Sequence, residues 1–184
     1  MRSRLAGFAG LFLFVLLTPA LADAPAWVLY VHPDKIMSLR FPGKPVEASQ
    51  EAPSPIGTLK FKVATLDRSD RVYVATAISF PVPPEKFNVQ GALDGARDNS
   101  VAKMDGKVLS EKSITVDGVE GREIVFETKE GAKQFIHGMM RVFASNSPPS
   151  TFVATAMRTA TSSDPDAQKF VESMHMGSKV ETRP

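Results

Sequence analysis

The chain has 184 residues, with 22 Lys and Arg against 20 Asp and Glu, three His and no Cys. The missing cysteine excludes disulfides, thiolate metal sites, a cysteine nucleophile and a lipid-modified cysteine. A formal charge of +2 is too near balance for the basic stripe that nucleic-acid binding requires.

Met1 to Arg4 is a short basic start, Leu5 to Leu17 is an uncharged apolar run, and Ala20-Leu21-Ala22 has the A-x-A spacing of a cleavage site. That order is the pattern of a secretory signal peptide. The run is too short to span a bilayer, which takes about 20 apolar residues. Cleavage is expected after Ala22, leaving Asp23 as the amino terminus and a periplasmic or secreted protein with no membrane insertion. Arg2 and Arg4 leave with the segment, which brings the basic count down to the 20 acidic residues. The expected organisation is a signal peptide over residues 1–22, one α+β domain over 23–177 and a flexible polar tail over 178–184.

Trp27 to Val31 is rich in strand formers, His32-Pro33-Asp34 reads as a turn, and Ile36 to Phe41 alternates as a half-buried strand does. Phe41-Pro42-Gly43-Lys44-Pro45 breaks that run, because neither proline donates to a ladder. Val46 to Glu51 is expected as a short edge strand, with a turn over Pro53 to Gly57. Thr58 to Val63 and Arg71 to Phe80 follow as strands around a polar loop, Asp67 to Asp70. In the first of them Leu59, Phe61 and Val63 share one face and Lys60 and Lys62 the other. Pro81, Pro83 and Pro84 end the second.

Gly91 to Gly106 is the first helix candidate, with Leu93, Val101 and Met104 in loose helical rhythm and Gly106 as its stop. Strands then return. Val108 to Val116 leads through the hairpin signal Asp117-Gly118 into Arg122 to Glu127. Thr128 to Gly131 turns into Lys133 to Phe143, and Asn146 to Ser150 into Thr151 to Met157. Short loops make these four strands an antiparallel meander, Gly106 to Met157. A closing helix is expected after Ser163 as cap, with Asp166 in a capping box and Pro165 in the first turn. Ala167, Phe170, Val171 and Met174 form its apolar stripe, and Gly177 stops it. The fold class is α+β, a mostly antiparallel sheet with helices packed on it.

The opening strand, the Phe41 to Pro45 turn with its hairpin and the helix near Leu93 to Met104 resemble small exported proteins of the Mog1/PsbP-like fold. Asp117-Gly118, Gly121-Arg122-Glu123 and a closing helix carrying Lys169-Phe170 and Ser173 extend the resemblance from Trp27 to Met176. The photosystem member of that fold assists an oxygen-evolving complex and the nuclear member binds a small GTPase. No functional residue of either maps onto this chain. The resemblance therefore implies an α/β/α sandwich that acts by contact with another protein and has no catalytic centre.

Individual residues point the same way. His32, His137 and His175 lack the i, i+4 or i, i+2 spacing of a local metal site; His32 reads as a turn residue and His175 as a helix C-terminal cation. No serine stands in a nucleophile motif, and Ser110 to Ser113 reads as a solvated strand face. Glu123 and Glu127 alternate with Ile124 and Phe126 and are expected to point outward. Gly118 to Arg122 leads into a strand and reads as a hairpin, not as a phosphate loop, with Arg122 at the surface. Met139, Met140, Met157, Met174 and Met176 are read as core in preference to copper ligands. Trp27 and Tyr30 are read as buried in preference to a contact patch. No catalytic, cofactor or metal residue is assigned. The expected function is an exported, non-catalytic binding or accessory module for an envelope protein or a small ligand. The competing class is an enzyme whose site is assembled from distant segments, recognisable by a histidine and a carboxylate converging in one pocket.

Overall fold

A computed structural model describes residues 26–129, 135–159 and 164–177. The expected signal peptide, the Ser163 cap, most of the turn after Thr128 and the tail from Ser178 lie outside those residues.

Ten strands and two α-helices follow one another among the described residues. They are β1 Val28–Val31, β2 Met37–Phe41, β3 Val46–Ser54, β4 Gly57–Arg68, β5 Arg71–Ser79, α1 Val89–Ala102, β6 Gly106–Val116, β7 Val119–Thr128, β8 Ile136–Asn146, β9 Pro149–Thr159, α2 Asp166–Glu172 and β10 His175–Met176. Seven strands form one sheet in the order β3-β4-β5-β9-β8-β7-β6, and β1-β2-β10 form a second, small one. Among the described residues every strand pairing is antiparallel, and the run β6 to β9 is the expected meander. The β6–β7 turn uses Asp117 and Gly118 at φ 51° and 80°, the left-handed pair that a two-residue hairpin needs.

The large sheet carries a packed layer on part of each face. On one, α1 sets Leu93 and Val101 against Ile124, Phe126, Met140 and Val142. On the other, α2 and the small sheet bring Phe41, Phe170 and Met174 onto Tyr73, Phe143 and Phe152. Phe170 lies edge-on to both Phe41 and Tyr73, with ring centroids 4.9 and 5.2 Å away. The protein is sheet-dominated, and the second covering layer mixes a seven-residue helix with three strands, where two helical layers were expected.

Several element boundaries differ from the sequence reading. β3 runs to Ser54, because Pro53 sits on the sheet's edge, where no donor is required. α1 begins at Val89, since Asn88 Oδ1 accepts the Gly91 N–H at 2.9 Å. Gly106 does not stop that helix. It opens β6, where a Cβ would stand 3.0 Å from Val101 and 3.2 Å from the Glu127 carbonyl. The last helix ends at Glu172, so Met174 lies beyond it, and Gly177 follows β10 at φ 81°. His175 is therefore a strand residue paired with Ser38 of β2, not a helix-terminal cation. At the start of α2 the carboxylate of Asp164 accepts the Asp166 N–H at 3.1 Å.

Two glycines are places of close approach across β7 and β8. Gly121 opposes Phe143, and Phe126 opposes Gly138. A Cβ on Gly121 would stand 2.4 Å from the Phe143 ring, and one on Gly138 would stand 2.2 Å from the Phe126 ring.

Candidate functional site

The position of α1 leaves the main feature of the surface. Arg122 of β7 is ion-paired to Asp94 of α1 at 2.6 Å and to Glu111 of β6 at 2.8 Å, and it donates to Gln90 Oε1 at 3.1 Å. Arg97 of α1 reaches the same Glu111 at 3.0 Å. These contacts draw the helix over β6 to β8. The β3, β4 and β5 side of that face has no helix above it, and a groove of about 610 Å³ opens there between α1 and the sheet.

Strand alternation supplies an apolar floor: Leu59, Phe61 and Val63 of β4, Val74 and Ile78 of β5, and Val153 of β9. The helix wall is low over its first half, where the facing residues are small, Gly91, Ala92, Gly95 and Ala96, and Asn99 and Ser100 continue it. The groove's volume and lining fall in the range of small-molecule sites. Gln50, Thr76, Asn99, Ser100 and Thr155 add polar groups to the lining, and two further residues stand out. Thr151 of β9 is 1% exposed, and its hydroxyl has no hydrogen-bond partner. Lys103, just past the helix, is the only charged residue among the described residues that line the groove.

The residues singled out in the sequence are scattered. His32 is 2% exposed; its Nδ1 accepts the Asp34 N–H at 3.1 Å, and its Nε2 is buried without a partner. Burial holds its pKa below the ordinary histidine value, which favours the neutral ring. His175 Nδ1 lies 3.2 Å from Asp117 Oδ2, a carboxylate that also accepts the Met176 N–H at 2.9 Å. His137 and Asp164 line one smaller cavity of about 390 Å³ with Arg158 and Gln168. That is the histidine–carboxylate convergence expected of the competing enzyme class. One oxygen of the carboxylate there is engaged: Asp164 Oδ1 accepts from the Tyr73 hydroxyl at 2.8 Å and from the Asp166 N–H, with Arg71 3.8 Å away, while Oδ2 is buried without a partner. Burial, reinforced by that hydrogen bond, pushes the Tyr73 phenol well above its ordinary pKa. No serine, threonine or lysine lines this cavity among the described residues. No cluster of three metal-ligating side chains occurs among the described residues.

Glu123 corrects the expectation of an outward carboxylate. It is 8% exposed, because the face opposite Ile124 is covered by the α2 layer. Arg141 contacts it at 2.7 Å and Lys112 at 2.7 Å. Burial pushes its carboxyl pKa up, and the hydrogen bonds from Lys112 and Arg141 outweigh that and hold it below the usual range. Arg122, expected at the surface, has a side chain only 15% exposed in the ion-pair network that seats α1. Tyr30 is buried as expected, and Lys169 Nζ lies 4.1 Å above the Trp27 ring. Met140 and Met174 are fully buried, and Met176 is 8% exposed. The groove itself was missed. The signal available was the apolar face Leu59, Phe61 and Val63, and no spacing in the sequence shows which half of a sheet a helix will cover.

No protein-family profile and no curated protein sequence matches this chain. Solved structures do. The solution structure of cyanobacterial PsbP from Synechocystis sp. PCC 6803 superposes with a TM-score of 0.53 at 8% identity, over 88% of this chain and 98% of that one. A Pseudomonas aeruginosa protein of unknown function, described as a putative regulator, aligns at 12% identity with a TM-score of 0.34, over 73% of this chain and 84% of that one. The fold is PsbP-like, as the sequence resemblance implied.

Proposed function

We propose that this protein is an exported, non-catalytic binding module, and that it holds an apolar small ligand in the groove beside α1. One observation carries the reading. An apolar sheet face lies open under a helix that ion pairs hold to the other side. Closing that face over a ligand removes apolar area from water, worth roughly 25 cal/mol per Å². The smaller cavity supports an enzyme less well, since one oxygen of its buried carboxylate is held by Tyr73 and the start of α2 and no serine, threonine or lysine lines it among the described residues. The PsbP-like fold is compatible with an accessory role.

The groove is tested with N-phenylnaphthylamine, a neutral fluorophore that brightens in apolar sites. The purified protein should enhance and blue-shift its emission, and Phe61→Asp should remove most of that signal. No enhancement by the folded wild-type protein would defeat the reading. Export is tested separately by mass spectrometry of native protein from the envelope fraction. An amino terminus at or within a residue or two of Asp23 is expected, and a retained Met1 would defeat it.

A further inference from the structure

We infer that the occupant of the groove is an elongated amphiphile with an anionic group at one end, an apolar middle and a hydrogen-bonding group at the other end. This rests on the groove reading above and specifies its ligand. Two polar markers stand at opposite ends of the apolar floor. Phe87, two residues before α1, packs at a tilt against Phe80 with ring centroids 5.1 Å apart, and the Phe80 N–H donates to the Pro149 carbonyl at 3.0 Å. The start of α1 therefore lies at the Thr151 end of β9. Beyond the end of α1, Gly106 packs beside Val101 and the Glu127 carbonyl, and Glu127 pairs with His137, which pairs with Arg158 near the far end of β9. Lys103 belongs to that far end. Gly91 and Lys103 are separated by about 18 Å at helical rise, which sets the span between the two markers.

Each marker calls for a particular chemistry. A buried hydroxyl without a partner carries a desolvation cost that a ligand donor or acceptor would relieve. Lys103 is exposed and forms no ion pair among the described residues, and no described carboxylate lines the groove beside it. An anion held there gains charge attraction next to low-dielectric walls. Between the two ends the sheet offers mainly apolar side chains with Gln50, Thr76 and Thr155 among them, and α1 adds Asn99 and Ser100, so an alkyl chain has an apolar strip to lie along.

The test is displacement of N-phenylnaphthylamine from the purified protein by palmitate, its methyl ester and omega-hydroxypalmitate. Omega-hydroxypalmitate should compete best, palmitate next and the ester least, each step being about three- to tenfold in affinity. Lys103→Met, which keeps the side chain's apolar stem, should erase the difference between acid and ester. Thr151→Val, which is nearly isosteric, should erase the advantage of the terminal hydroxyl. Circular dichroism of both variants guards against misfolding, and raised salt should weaken palmitate more than its ester. Equal competition by acid and ester overturns the anionic end, and an unchanged hydroxyl advantage in Thr151→Val overturns the other. If the fluorophore binds and none of the three displaces it, the inference fails and the groove reading stands. If the fluorophore does not bind, both fail.

Discussion

Arg122 on β7 and Asp94 on α1 lie 2.6 Å apart, and this contact ties α1 to the half of the large sheet on which Leu93 and Val101 are buried. The guanidinium is shared with Glu111 and Gln90, so a single side chain fastens the helix to two strands.

Arg122→Met should loosen that fastening. Asp94 is half exposed, so screening discounts the pair, and a loss of about 1–2 kcal/mol is expected in urea unfolding. The more specific readout is hydrogen exchange. Amides of α1 should exchange faster while those of α2 stay protected, and an equal change in both helices would contradict the anchoring role.

The Glu123–Arg141 pair is the more costly one to break. Both side chains are about nine-tenths buried, at 10% and 12% exposure. Arg141→Met leaves a buried carboxylate whose remaining partner, Lys112, is largely exposed, and it should cost about 3–5 kcal/mol. Adding Glu123→Gln should recover much of that loss in a double-mutant cycle. The pair also contributes to acid sensitivity. The folded pKa of Glu123 lies below its unfolded value, so its stabilisation is complete above about pH 4.3 and is lost as pH falls through the lower folded value. Glu123→Gln should flatten the stability curve in that range.

His32 acts at milder pH. Its folded pKa is lowered by burial, so below about pH 6.5 the unfolded chain takes up a proton that the folded state resists. Stability is therefore full above that value and declines as pH falls toward the folded pKa. His32→Asn retains an acceptor for the Asp34 N–H and has no titration. Urea midpoints at pH 7.5 and pH 5 should separate for the wild type and converge for the variant, once the background change of the remaining groups is subtracted.

Phe170 closes the second core. It is fully buried and edges against both Phe41 and Tyr73. Phe170→Ala should cost about 3–5 kcal/mol in reversible unfolding. A loss below about 1 kcal/mol would mean that the cavity collapses freely and that α2 is not a core element.

The hairpins were legible in the sequence because their signals are local. Asp117-Gly118 needs only its own two residues to adopt positive φ, and the alternation of Ile124 and Phe126 marks an inward face by itself. Where the reading failed, the missing information was tertiary. Alternation alone assigns the second face of a strand to water, so Glu123 was placed outside until the α2 layer covered it. Met174 continues an apolar rhythm that implies a helix reaching His175, but the helix ends at Glu172 and His175 pairs with Ser38 to complete the small sheet. The groove depends on where α1 is held sideways, by Leu93 and Val101 packing on the sheet and by Arg122 reaching Asp94 across 28 positions of sequence.

The glycines facing Phe126 and Phe143 bear on how the meander finds its alignment. One ring lies over bare backbone on each face of the sheet, and the two contacts are reciprocal between β7 and β8. Sliding β8 by two residues would keep every side chain on its proper face, so inside–outside patterning offers no defence against that error. In the slipped pairing Phe126 would meet Met140 or Ile136, and Phe143 would meet Glu123 or Val119, with no vacant backbone to receive either ring. The two hydrogen-for-side-chain positions thus work as a pair of keys, one cut on each side, that admit a single alignment of the strands.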